Sequence, residues 1–82
     1  MKMGVLEGLL FVTGEDGISL GEIQKILELT KEDALKLIDG YKNTLEDEKR
    51  GLKLVCLGEK YKLTTKEERK KYYEALADAV VS

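Results

Sequence analysis

Residues 52–63 read LKLVCLGEKYKL, and this stretch decides the fold. Gly58-Glu59 divides it in two, and a glycine at the first position of a two-residue loop fits a type II′ turn between antiparallel strands. That turn places Leu57 opposite Lys60. Because side chains alternate across a strand, one face then collects Leu52, Leu54, Cys56, Tyr61 and Leu63. The other face collects Lys53, Val55, Leu57, Lys60, Lys62 and Thr64. The sequence predicts a β-hairpin over about residues 52–64 with its apolar face on the core.

Helical segments surround this hairpin, and their starts are marked by capping residues. Ser19 and Glu22 have the spacing of a capping box, as do Thr65 and Glu68. Thr30 is a typical N-cap before a first turn rich in acidic residues. Apolar residues at helical spacing then predict helices over about residues 3–13, 19–28, 31–48 and 66–80.

The order helix, helix, helix, hairpin, helix is that of a winged-helix domain, in which a helix-turn-helix is followed by a β-hairpin wing. A chain of 82 residues suffices for one small core, and 43% hydrophobic with 37% charged residues is typical of a globular domain. We therefore expect residues 1–82 to form a single winged-helix domain, mainly α with a small β-hairpin.

The composition argues against catalysis. The chain has no histidine, so it lacks the commonest general base and metal ligand. Its one cysteine, Cys56, falls on the apolar face of the hairpin, which favours a structural thiol. The carboxylates of residues 46–48 lack EF-hand spacing. We predict a non-enzymatic protein with no catalytic residues, no cofactor and no metal site.

The same composition bears on location. A single cysteine cannot form an internal disulfide, which favours a reducing compartment. The opening residues 1–12, MKMGVLEGLLFV, have too short an apolar stretch to span a membrane and no small-residue cleavage site. We expect a cytoplasmic protein without a membrane partner.

DNA binding is the main alternative function, because winged helices often read the major groove with their third helix. Residues 31–48 carry three lysines, Lys36 and Lys42 among them, against six acidic residues, a net charge of −3. They offer no arginine for guanine, and a phosphate-binding helix needs a basic face. The sequence therefore disfavours direct DNA binding by this helix. A weak patch for phosphates or an acidic partner, with a merely solvated surface as its alternative, is predicted from Lys49, Arg50, Lys53, Lys60 and Lys62.

The first and last helices have more apolar surface than one small core needs. On the first, Val5 and Val12 belong to an apolar arc of about half the circumference, and Phe11 lies outside it. On the last, Tyr72 and Tyr73 are adjacent, so one should point outward. Simple coverage of the core is the alternative, but such a surplus in a small domain favours a homodimer. The candidate interface comprises Val5, Phe11, Val12, Tyr72, Tyr73, Leu76 and Val80.

Two stretches also carry a resemblance to a known family. These are VLEGLLFVTGEDGISLGEIQKIL, residues 5–27, and GLKLVCLGEKYKLTTKEE, residues 51–68. In order and spacing they resemble the N-terminal domain of segregation and condensation protein B, an accessory subunit of the bacterial SMC–kleisin complex. The resemblance implies two tandem winged-helix domains, of which the first forms a homodimer. It also implies that the second contacts the kleisin subunit, and that the full-length protein works with the SMC ATPase heads.

The resemblance implies that this chain corresponds to the first of those two domains and does not include the second. The sequence thus predicts a homodimerising winged-helix domain of a subunit that acts in chromosome condensation and segregation and is nucleoid-associated through its complex. The alternative prediction is a dimeric winged-helix transcription regulator that binds DNA.

Overall fold

The computed structural model describes the backbone of residues 1–81, and the side chains of these residues except 78, 80 and 81. Two short 3₁₀ turns, Gly14–Asp16 and Glu67–Arg69, connect regular elements. Those elements, in chain order, are α1 (Lys2–Thr13), β1 (Ile18–Ser19), α2 (Leu20–Leu27), α3 (Lys31–Thr44), β2 (Leu52–Leu57), β3 (Lys60–Thr65) and α4 (Lys70–Val81). This is the winged-helix order, and the predicted fold class is confirmed.

The helix-turn-helix is built from local capping. The Ser19 hydroxyl accepts a hydrogen bond of 3.1 Å from the Glu22 amide, and the Glu22 carboxylate accepts one of 3.0 Å from the Ser19 amide. The predicted capping box of α2 is therefore confirmed. Glu28 ends α2 in the left-handed conformation, with φ at 55°. Thr30 then caps α3 by accepting from the Asp33 amide at 3.1 Å.

The hairpin has the predicted register. Leu57 pairs with Lys60 and Leu54 with Leu63, and Gly58 has a φ of 63° as the first residue of the turn. The sheet of the described residues has the strand order β1-β3-β2. Strand β1 was not predicted, because two residues are too few to show an alternating pattern. It pairs antiparallel with β3 and joins the wing to the start of α2.

The core lies between α1, α2, α3 and the inner face of the sheet. Only the middle of the predicted apolar hairpin face reaches it. Leu54 is buried, and Tyr61 and Leu63 pack partly against the core, but Leu52 and Cys56 are exposed. The buried core consists of Leu6, Leu10, Ile18, Ile23, Leu27, Ala34, Ile38, Tyr41, Leu45 and Leu54.

Two helix boundaries differ from prediction. Helix α3 ends at Thr44 rather than at about 48, since the Thr44 hydroxyl donates to the Tyr41 carbonyl at 2.7 Å and competes with the helical bond there. Helix α4 begins at Lys70 rather than at about 66. The predicted capping box of Thr65 and Glu68 is not formed, because Thr65 is the last residue of β3.

Two basic side chains fix the base of α4 instead. Lys66 is buried and its Nζ donates to the Asp47 carbonyl at 2.8 Å. The Arg69 guanidinium donates from Nη1 to the Arg50 carbonyl at 2.9 Å and from Nη2 to the Glu48 carbonyl. Hydrogen bonds from charged donors are stronger than neutral ones. These bonds attach the residues before α4 to the loop between α3 and β2.

Beyond this attachment, α4 extends away from the core of the domain. Its main contacts are with the 3₁₀ turn directly before it, and its described side chains are exposed from Lys71 to Ala77. The molecule is accordingly elongated, with extents of 48 × 24 × 23 Å. Both Tyr72 and Tyr73 are exposed, whereas the sequence predicted that one of them points outward.

Candidate functional site

The outward face of α1 is apolar along the helix. Phe11 and Val12 are each 81% exposed, and Val5 is 42% exposed. Gly4 and Gly8 lie between them on the helix surface. Charged residues occur only at the borders of this face. The structure thus brings three predicted interface residues together on one surface, which we call the α1 face: Gly4, Val5, Gly8, Phe11 and Val12.

The two glycines of the α1 face have no role in packing within the domain. A Cβ atom added at Gly4 or Gly8 would have no heavy atom within 4 Å. A glycine inside a helix is less favourable than alanine by about 1 kcal/mol. Nothing in the described chain offsets this cost. Their effect is a flat strip on which another backbone can approach α1 closely.

A shallow groove of about 370 Å³ runs along one side of the α1 face. Phe11 and the two glycines line it from α1, and Leu52 and Leu63 line it from the hairpin. Leu52 was predicted to lie on the core but is exposed in this groove. The apolar surface of α1 therefore continues onto the first residue of β2.

The remaining predicted interface residues lie on α4. Tyr72, Tyr73 and Leu76 are exposed and share one side of the helix. Val80 lies outside the residues whose side chains are described. The Tyr73 hydroxyl lies 3.4 Å from the place where a side chain on Gly51 would begin, next to Leu52. The two groups of predicted residues are thus connected by the start of β2, a link that the sequence pattern did not reveal.

A polar cluster borders the α1 face. Tyr41 Oη donates to Glu7 Oε2 at 2.9 Å, and Arg50 Nη2 lies 3.5 Å from the same oxygen. Burial, followed by the hydrogen bond to Glu7, raises the pKa of Tyr41 to about 12. Arg50, predicted as part of a basic patch on the hairpin, is therefore directed to α1.

The other predicted basic residues are also divided. Lys60 Nζ lies 3.3 Å from Glu22 Oε1 at the start of α2. The hydrogen bond from the Ser19 amide, helped by Lys60, lowers the pKa of Glu22. Lys49 is exposed in the loop before β2. Only two of the five predicted residues line the groove on the outer face of the hairpin.

Those two are Lys53 and Lys62, and each is paired. Lys53 Nζ lies 3.9 Å from Glu67 Oε1, and Lys62 Nζ lies 3.1 Å from Glu15 Oε2. The acidic partners are distant in sequence or on another element, so the sequence pattern could not place them. Four of the five predicted basic residues have a carboxylate within 4 Å, and a phosphate would have to compete with it.

No constellation for catalysis or metal binding is found among the described residues. They contain no group of three or more Cys, Asp or Glu side chains placed to hold a metal ion. Cys56 is exposed at the end of β2, with its Sγ 3.7 Å from the Gly58 carbonyl, so it is not the buried structural thiol that was predicted. In the same residues, no helix is both long and apolar enough to span a bilayer.

A winged helix with exposed apolar faces on α1 and α4, and with no net positive charge on its third helix, has the surface features of a protein-interaction domain. Comparison with known families identifies it further. The model of the segregation and condensation complex subunit ScpB matches residues 4–81, and the chain belongs to that family. The resemblance found in residues 5–27 and 51–68 is thereby confirmed, and the reading as an ScpB domain holds over that of a transcription regulator.

Curated relatives agree with this assignment. Segregation and condensation protein B of Shouchella clausii is 38% identical over 80 residues, which are 98% of this chain and 42% of the relative. The Brevibacillus brevis protein of the same name is 42% identical over 74 residues, 90% of this chain and 38% of the relative. The chain spans about two fifths of the length of these relatives.

Solved structures agree as well. A dimer of the ScpB N-terminal domain, crystallised with a ScpA peptide, has a TM-score of 0.88 and 36% identity, covering 92% of this chain and 86% of that one. ScpB from Mycobacterium tuberculosis has a TM-score of 0.87 at 18% identity, covering 99% of this chain and 50% of that one. The second similarity concerns the fold alone.

Proposed function

We propose that this domain pairs two copies of a non-enzymatic subunit of an SMC complex that acts in chromosome condensation and segregation. The observation that carries the proposal is the α1 face, an uncharged helix surface with Phe11 and Val12 almost fully exposed. Fully burying such side chains contributes about 1.5–3 kcal/mol each. The glycines of the same face allow a second copy to approach closely.

The α1 face is the central part of the proposed interface, and Leu52 extends it onto the hairpin. The dimeric state of the related N-terminal domain supports a second copy as the occupant. Tyr72, Tyr73, Leu76 and Val80 remain candidates at the edge, since Tyr73 lies near the start of β2. A closed dimer buries the same patch of both copies around a two-fold axis.

The partners of the complete protein follow from the family. The related N-terminal domain was crystallised with a ScpA peptide, which supports a kleisin contact by this domain as well. The sequence assigned that contact mainly to a second winged-helix domain. In our proposal the complete protein also contacts the SMC ATPase heads. It acts in the cytoplasm, at the nucleoid.

Sedimentation of the 82-residue chain over a range of concentrations tests the dimer. We expect dimers at high micromolar concentration and monomers for Phe11→Glu, because a buried carboxylate has no partner on an apolar face. Ile26→Glu is the matched control, since Ile26 is an exposed apolar residue on α2. A monomeric parent chain, or equal effects of the two substitutions, would contradict the proposal.

The same samples with duplex DNA test the alternative function. A regulator would bind duplex with an affinity that falls steeply as salt rises. Loss of that binding in Lys36→Glu or Lys42→Glu, on α3, would support the alternative function of a transcription regulator. Our proposal predicts no such binding at physiological salt.

A further inference from the structure

Strand β2 is an open edge of the sheet. In the described residues it is hydrogen-bonded to β3 on one side only. Leu57 and Lys60 flank the two-residue turn and exchange both backbone hydrogen bonds, and Val55 does the same with its partner, since such pairs alternate. The backbone groups of Leu54 and Cys56 therefore point away from β3. They form a row that an added strand can pair with.

The outer face of the hairpin forms a groove beside this edge. Its volume is about 720 Å³. Val55 and Leu57 form an apolar strip along β2, and Leu57 is 60% exposed. Three lysines surround the strip, namely Lys53, Lys62 and Lys70, with Glu67 as the one acidic lining residue. The groove thus combines an apolar floor with a net positive rim.

The acidic partners of the lysines at this rim can be replaced by other carboxylates. The side chains of Glu67 and Glu15, the partners of Lys53 and Lys62, are 88% and 93% exposed. Exposed ion pairs contribute little to stability. Carboxylates of a bound segment can replace them with little loss, and they also reach Lys70, whose pairing with Glu74 is exposed as well.

We infer that the open edge of β2 and the basic outer face of the hairpin together bind an extended acidic segment of a partner protein. The segment adds a strand to β2, so its main chain pairs with Leu54 and Cys56. Every second side chain of the added strand then lies over the outer face. Apolar side chains there cover Val55 and Leu57, and acidic ones meet the lysines.

A protein segment fits this surface better than a nucleic acid does. Backbone N–H and C=O groups along β2 match another backbone, whereas phosphates offer acceptors only. The inference does not depend on the proposed dimer, because α1 lies against the other face of the hairpin, beside Leu52 and Leu63.

The first test follows a fluorescent peptide of about ten residues in which every second residue is in turn glutamate or valine, with threonine between them, so that both types lie on one face of the added strand. We expect saturable binding to the complete chain, and none of a peptide with lysine in place of glutamate. Amide hydrogen exchange should slow at Leu54 and Cys56 and stay unchanged at Val55, which is already bonded to β3. Absence of binding at high micromolar chain concentration, or slowed exchange elsewhere instead, overturns the inference.

Substitutions distinguish binding at the edge of β2 from a general response to the net charge of the protein. Lys53→Glu should weaken binding by about fivefold, the upper end of what one exposed ion pair contributes. Lys36→Glu on α3 is the matched control, since Lys36 also has an exposed ion pair, with Glu32. Equal effects of the two substitutions would show a response to net charge only and overturn the inference.

Cys56→Pro tests the edge itself. It removes an outward amide without removing a bond to β3, and proline is tolerated on edge strands. We expect loss of peptide binding in Cys56→Pro and normal binding in Cys56→Ser. If the proline variant does not fold, the exchange pattern and Lys53→Glu decide. Displacement of the peptide by duplex DNA would favour a nucleic-acid site and overturn the inference, and sedimentation would still report on the dimer separately.

Discussion

The hydroxyl of Tyr41 donates a 2.9 Å hydrogen bond to the carboxylate of Glu7 and joins the middle of α1 to α3. Tyr41 is only 2% exposed, and Arg50 approaches the same carboxylate from the loop before β2. The burial of Leu6 and Leu10 sets how α1 is rotated on the core, and this contact supports the same orientation. The orientation decides which residues of α1 face outward, and the proposed dimer depends on it.

Tyr41→Phe should lower the free energy of unfolding by about 0.5–1.5 kcal/mol, the usual net value of one hydrogen bond. The half-exposed Glu7 carboxylate can turn to water and to Arg50, so a larger loss is not expected. Urea denaturation measures the change. Tyr72→Phe is the control, because the exposed Tyr72 should tolerate loss of its hydroxyl without effect.

The raised pKa of Tyr41 predicts a stability change at alkaline pH. Its pKa is about 12 in the folded protein and 10.0 in the absence of the fold. Below pH 10 the tyrosine is protonated in both states, so the stabilisation is complete. Between about pH 10 and 12 the unfolded state loses its proton first, and the free energy of unfolding should fall by about 2 kcal/mol.

Urea denaturation at about pH 9 and about pH 11.5, compared between the parent chain and Tyr41→Phe, isolates this contribution. Tyr61 also has a pKa raised by burial, so a smaller decline should persist in the variant. The same pH dependence in both proteins would assign the effect to groups other than Tyr41.

Arg69→Ala should loosen the base of α4. It removes the donors to the carbonyls of Arg50 and Glu48, and we expect a loss of about 1–2 kcal/mol in unfolding free energy. Amide exchange in the first turn of α4 should become faster, while exchange in α2 stays unchanged. Arg69→Lys should rescue only in part, since a single ammonium lacks the planar fork that reaches both carbonyls. Full rescue would contradict the role of that geometry.

Gly8→Ala should have opposite effects on the monomer and on the proposed dimer. Alanine favours the helix by about 0.5–1 kcal/mol and meets no neighbouring atom, so the monomer should become more stable. In the dimer the added Cβ would hold α1 away from its partner, and the dissociation constant should rise. Thermal unfolding of dilute samples and sedimentation measure the two effects.

Gly21→Ala is the matched control for this prediction. Gly21 lies in α2, and a Cβ there also has no heavy atom within 4 Å. It should stabilise the chain to a similar extent without changing the dissociation constant. A weaker dimer in Gly21→Ala as well would show that the contact is not specific to the α1 face.

The turn and the register of the hairpin could be predicted because their signals are local. Gly58 sets the turn, and alternation of apolar and polar residues then sets the register from Leu57–Lys60 to Leu54–Leu63. Strand β1 could not be predicted, since its pairing with Tyr61 joins residues far apart in sequence. The end of α3 at Thr44 depends on a side-chain hydrogen bond that helical periodicity does not report.

The candidate site was predictable only in part. Phe11 lies outside the apolar arc of α1, and that position indicated its exposure. Helical spacing on α4 is the same whether Tyr72 and Leu76 face a core or solvent. The sequence therefore could not predict that α4 extends away from the core. Two glycines four residues apart within α1 were a signal for Gly4 and Gly8 that the search for apolar residues overlooked.

The attachment of α4 at Lys66 and Arg69 makes this helix a lever. Its twelve residues extend about 18 Å beyond the attachment, at 1.5 Å per residue. A tilt of about 10° at its base then displaces the far end by about 3 Å, more than half the rise of one helical turn. Three hydrogen bonds to the carbonyls of one loop thus control the direction of a long arm, and small changes in that loop are amplified into the geometry of whatever the arm carries.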